Sequence, residues 1–144
     1  MPIAANIAEL KRLVEANLPE ELPPHILDQV ARFTERFSGE AADFMLVSSQ
    51  FLTIDGTPLP LEMIVIKDRN WYELEIQQNG SARLSFVDLR QVADTWLGIG
   101  EQGDTQFNMY LVSERSWNGR TGGEAASDLV ALAEHVTAVM AGRG

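Results

Sequence analysis

Apolar residues recur at helical spacing through the first third of the chain and at alternate positions after Asp43, so the backbone changes period there. Ile3, Ile7, Leu10, Val14 and Leu18 share one helical face, and Asn6 and Glu9 stand where a capping box closes a first turn. Pro19, Pro23 and Pro24 cannot continue that helix. A second helix begins near Pro24, a position proline tolerates, and carries Ile26, Val30, Phe33 and Phe37 on one stripe, with Gly39 as its stop. The two predict a helical hairpin over 1–39.

From Asp43 the pattern predicts an antiparallel sheet over 43–113. "FMLVSSQFLTI" reads as one long strand, "LPLEMIVIK" as a second, "WYELEIQ" as a third and "SARLSFV" as a fourth. The register follows from which faces agree. A two-residue Asn79-Gly80 loop would set Ile76 against Arg83 and mix apolar with polar residues on one face. A three-residue loop, Gln78-Asn79-Gly80, with Gly80 in the left-handed position, pairs Ile76 with Ala82, Leu74 with Leu84, Tyr72 with Phe86 and Glu75 with Arg83. A four-residue loop over 67–70 pairs Val65 with Tyr72, Met63 with Leu74 and Leu61 with Ile76. In that register Glu62 faces Glu75, a like-charge pair that Arg83 can relieve. Ile64, Ile66 and Trp71 then share the other face, which something must cover: the N-terminal helices, a second subunit or a partner.

The stretch 88–96 fits one helical turn followed by a strand, with Asp88 as its cap, although the alternation of Ala93, Thr95, Leu97 and Ile99 also suits a strand throughout. "TQFNMYLV" is a further strand, and "SERSWNGRTGG" reads as a loop. A last helix over 124–141 buries Leu129, Leu132, Ala133, Val136 and Met140. The fold class expected is α+β: N-terminal helical hairpin, a mostly antiparallel sheet of four or more strands, and a C-terminal helix packed on it, in one domain spanning 1–144.

Composition narrows the function classes. At 144 residues the chain is long enough for a core without a metal or disulfide staple. It has no cysteine, which excludes a disulfide framework, a thiolate nucleophile and a Cys-ligated zinc. A net charge of −10 with no basic cluster argues against nucleic acid and anionic membranes as partners, and is compatible with a basic protein partner. No stretch approaches the ~18 apolar residues of a membrane span, and the N-terminus lacks the pattern of a secretory signal, so the expected location is cytoplasmic.

Candidate chemistry is sparse. "GIGEQG" at 98–103 matches G-x-G-x-x-G, but a strand follows it where a dinucleotide site needs a helix, so it predicts a hairpin tip. "NGRTGG" at 118–123, ahead of the last helix, resembles the pyrophosphate-binding loop of acetyl-CoA-dependent N-acetyltransferases; the resemblance implies an anionic ligand on Arg120, Gly122 and Gly123. His25 and His135 lack metal-ligand spacing, and the carboxylates, Glu73 and Glu75 among them, read as a solvated face. Trp96 reads as core, whereas Trp71 and Trp117 stand where aromatic residues often meet partners.

Size, acidity, central sheet and C-terminal helix together resemble the small acidic chaperones of type III secretion, which implies a homodimer masking a protein partner. The meander ending in a helix is also similar to pleckstrin-homology-like rolls, without the basic loop of a phosphoinositide binder. The expectation is a non-enzymatic protein-binding module, an adaptor, dedicated chaperone or toxin-neutralising partner, acting through Ile64, Ile66, Trp71 and Trp117 and needing no cofactor or metal. A small-molecule enzyme or sensor using the 117–123 loop is the alternative.

Overall fold

The computed structural model describes residues 3–37, 42–53, 55–122 and 125–142. Its elements are α1 (Ile7–Asn17), α2 (Pro24–Glu35), β1 (Phe44–Ser48), β2 (Leu61–Lys67), β3 (Asn70–Ile76), β4 (Ala82–Asp88), a 3-10 turn (Leu89–Gln91), β5 (Val92–Ile99), β6 (Thr105–Leu111), β7 (Ser116–Thr121) and α3 (Ala126–Ala141). Two antiparallel sheets result, one ordered β1-β2-β3-β4 and one ordered β5-β6-β7. The fold is α+β, with helices at both ends of the described chain.

The four-stranded sheet is the middle layer. On one face Met45, Val47, Leu61, Met63, Val65, Leu74 and Ile76 pack against Leu10 and Val14 of α1 and Ile26, Val30 and Phe33 of α2. On the other, Leu46, Ile64, Ile66 and Trp71 pack against Phe107 and Met109 of the second sheet and Leu129, Leu132, Ala133 and Val136 of α3. The cover of the second face is therefore the chain's own second sheet and last helix.

Local chemistry sets the ends of these elements. The Asn6 side chain accepts the Glu9 N–H at 2.9 Å, and the Glu9 carboxylate accepts the Ala5 N–H at 2.9 Å, so the start of α1 is closed from both sides. Pro24 opens α2, where its missing N–H costs nothing. Gly39 and Glu124, read as helix boundaries, lie outside the described residues.

The β2–β3–β4 register is the expected one: Leu61 pairs with Ile76, Met63 with Leu74 and Val65 with Tyr72, while Ile76 pairs with Ala82 and Glu75 with Arg83. Gly80 has φ of 85°, a conformation that glycine adopts without steric cost. The 3-10 turn followed by β5 is the expected order, and the Asp88 side chain caps it by accepting the Arg90 N–H at 2.9 Å. The "GIGEQG" stretch is a hairpin tip, where the Gly103 N–H donates to the Gly100 carbonyl at 3.0 Å.

Three expectations change. The first long strand stops at Ser48, whose hydroxyl accepts the Gln50 N–H at 3.1 Å and turns the backbone out of the ladder. The chain beyond it crosses to the other sheet, where Leu52 exchanges backbone hydrogen bonds with Arg120. The polar run Ser116–Thr121 is strand β7 and not a loop, paired along its length with β6. Trp96 is exposed on the outer face of β5, not core; its indole N–H lies 3.4 Å from the Tyr110 hydroxyl. No helix among the described residues is long and apolar enough to cross a membrane.

Candidate functional site

The four residues expected to meet a partner come together, but in one core cluster. Ile64, Ile66 and Trp71 are fully buried between the sheets and under α3, so they form core and not a docking patch. Their apolar face was legible; its cover, built from strands and a helix much later in the chain, was not. Trp117 is half-buried, with its ring centroid 5.2 Å from that of Trp71 and 6.0 Å from that of Phe107. Arg120 sits within β7, its backbone laddered to Gln106 and Leu52, so it does not stand in a loop ahead of a helix. Gly122 follows the strand and Gly123 lies outside the described residues. His25 is exposed; His135 stacks on Phe44 at 5.2 Å, and burial holds its imidazole below the usual value.

What the structure does bring together is a set of three glutamates. β2 and β3 alternate, so Glu62, Glu73 and Glu75 share the face that carries Ile64, Ile66 and Trp71. Glu62 stands directly across from Glu75, and Glu73 lies one alternate position along the same strand. All three are buried, and one carboxylate oxygen from each lies within 4.8 Å of the others. Burial of charge in such a layer is costly unless each group finds a partner.

Two of them do. Glu73 accepts the Trp117 indole N–H at 2.8 Å through one oxygen and faces that of Trp71 at 3.4 Å through the other. Glu75 takes the Arg83 guanidinium at 3.3 Å and the Gln77 side-chain amide at 3.2 Å. Among the described residues Glu62 has no hydrogen-bond donor on either oxygen. Its burial, and then repulsion from Glu73 and Glu75, push its carboxyl well above the usual range near 4.5. A proton or a cation is what such a group calls for.

The indole of Trp117 reaches Glu73 with the outer edge of its ring over Gly119, two residues on. A Cβ at Gly119 would run into the Trp117 ring, so glycine is what leaves room for the ring in this position. Beside this cluster a cleft of about 500 Å³ opens between the 55–59 segment and the β3–β4 hairpin, lined by Asp55, Glu75, Asn79, Arg83, Trp117 and Asn118. Glu75 thus connects the buried carboxylates to solvent.

A second feature lies on the surface. The described residues leave eight large apolar side chains exposed: Leu27, Leu84, Phe86, Trp96, Leu97, Ile99, Tyr110 and Val112. All but Leu27 fall on β4, β5, β6 or the residue after it. β4 and β5, consecutive in the chain, are the open edges of their respective sheets. Ile99 is 66% exposed and Phe86 52%, although the Arg36 guanidinium lies 5.2 Å from the Phe86 ring. Compared with models of known protein families, with curated proteins and with solved structures, the chain matches none.

Neither feature was singled out in the sequence, though part of the signal was there. The register that set Glu62 against Glu75 also placed Glu73 on the face of Ile64 and Trp71, which had to be covered. The exposed edge could not be read in advance, because alternation in β5 marks two faces without saying which meets water.

Proposed function

We propose that the chain is a non-enzymatic protein-binding module that engages its partner at the exposed edge strands, β4 and β5. The observation supporting this is the concentration of exposed apolar side chains there: Leu84 and Phe86 on one sheet edge, Trp96, Leu97 and Ile99 on the other. Open sheet edges offer unpaired backbone groups to an incoming strand, and folded proteins usually blunt them with charge, proline or bulges. The 95–99 half of β5, "TWLGI", has no charged residue and no proline. An extended partner segment added to β5 gains main-chain hydrogen bonds and pockets for alternate side chains. The chain's charge of −10 favours a segment carrying lysine or arginine.

The test is a capture experiment with surface variants. Leu97→Lys and Ile99→Lys leave the fold intact by thermal unfolding, and both lose a stoichiometric partner that the wild type retains from lysate of its source cells. The reading fails if wild type and variants retain the same proteins, or if the wild type retains none.

A further inference from the structure

We propose that Glu62, Glu73 and Glu75 together hold one hard divalent cation, calcium or manganese, between the two sheets. Three oxygens within 4.8 Å of one another suit a single ion, since that spread is about twice the 2.3–2.6 Å of a calcium–oxygen bond. The donor set is carboxylate only, which favours hard cations and not the zinc or copper that histidine and cysteine select. Magnesium dehydrates reluctantly and keeps several waters, a poor match for a cluster buried this completely.

The independent observation is Glu62. It is fully buried, and among the described residues both of its oxygens lack a donor while they face two further carboxylates. The other two ligands are already oriented by outer groups, Glu73 by the indoles of Trp71 and Trp117 and Glu75 by Arg83 and Gln77. Such outer hydrogen bonds are the usual accompaniment of metal ligands. A dehydrated ion is small enough to lie among these side chains, and Glu75, which lines the cleft, marks its way in. A lysine from a partner would need a channel to Glu62 and Glu73, and both are closed from solvent. This site is separate from the exposed edges of β4 and β5 and does not depend on them.

The experiment is a titration of chelator-stripped protein with calcium chloride and with manganese chloride, followed by calorimetry, by the electron-spin signal of free manganese and by thermal unfolding. One ion per chain binds, and saturation raises Tm by about 5 °C or more. Glu62→Gln and Glu73→Gln each weaken binding at least tenfold, whereas Glu101→Gln, at the exposed β5–β6 hairpin tip, leaves it unchanged. The proposal is overturned if the stripped wild type binds neither ion, or if Glu62→Gln binds as tightly as the wild type. A Glu62→Gln protein that is at least as stable as a non-binding wild type would assign the place to a shared proton. Should Glu62→Gln fail to fold, the wild-type stoichiometry and Glu75→Gln decide in the same way.

Discussion

On the face of the middle sheet that meets α1 and α2, β2 and β3 present Leu61, Met63, Val65, Tyr72, Leu74 and Ile76. On the opposite face the same two strands present Glu62, Ile64 and Ile66 beside Trp71, Glu73 and Glu75. Both faces are covered, so burial alone does not distinguish them. The first needs only shape and volume from its neighbours. The second is apolar where α3 and β6 lie over it and charged where β7 arrives with Trp117. Three buried carboxylates are a poor way to gain stability, since well-packed apolar residues of similar size would do at least as well. Their grouping at one end of one face is what sets the two faces apart.

The contrast can be broken most severely at Trp71. Trp71→Glu places a further charge in the layer between the sheets and unfolds the chain, as circular dichroism would show; Trp71→Ala costs roughly 3–5 kcal/mol for the lost volume. Met63→Ala, on the helix-facing side, costs roughly 2–5 kcal/mol in urea unfolding with no change in ion binding. Glu73→Ala costs about 1–3 kcal/mol, because two indole N–H groups lose their acceptor. Of the two faces, only the charged one should couple stability to added calcium.

Glu62 sharpens the comparison through pH. Its carboxyl is pushed up in the folded chain, so between the ordinary value near 4.5 and the raised one the folded state binds more protons than the unfolded state. The stability it allows is complete below that window and is lost as pH rises through it. In ion-free protein the Glu62 contribution therefore declines as pH rises above about 4.5, and it is read by urea unfolding as the pH-dependent difference between wild type and Glu62→Gln. At the far end of the scale, Ile99→Lys shifts stability by no more than about 0.5 kcal/mol, in keeping with a surface position.

Much of the middle sheet was legible because alternation leaves few registers in which both faces agree. Leu74 opposite Leu84 and Glu75 opposite Arg83 follow from that constraint alone, and the structure has both. The second sheet was harder to read. Ser116–Thr121 mixes serine, asparagine and glycine, residues of turns, with the strand formers Trp117 and Thr121, and becomes a strand because β6 and Leu52 pair with it from either side. Without β7 there was no Trp117 above Glu73, and without the second sheet no cover over Ile64. The glutamates then read as a solvated face, although their register was already fixed. Local pattern located the carboxylates; tertiary pairing decided that they are buried.

The most direct measurement is the titration of the glutamate side-chain carboxyls by carbon-detected NMR, in chelator-stripped protein and again with saturating calcium. One carboxyl, absent in Glu62→Gln, titrates well above the ordinary range in the stripped protein, and calcium drives its titration down. If every glutamate titrates near 4.5 with and without the ion, Glu62 is solvated, and the second face holds neither a buried charge nor a cation.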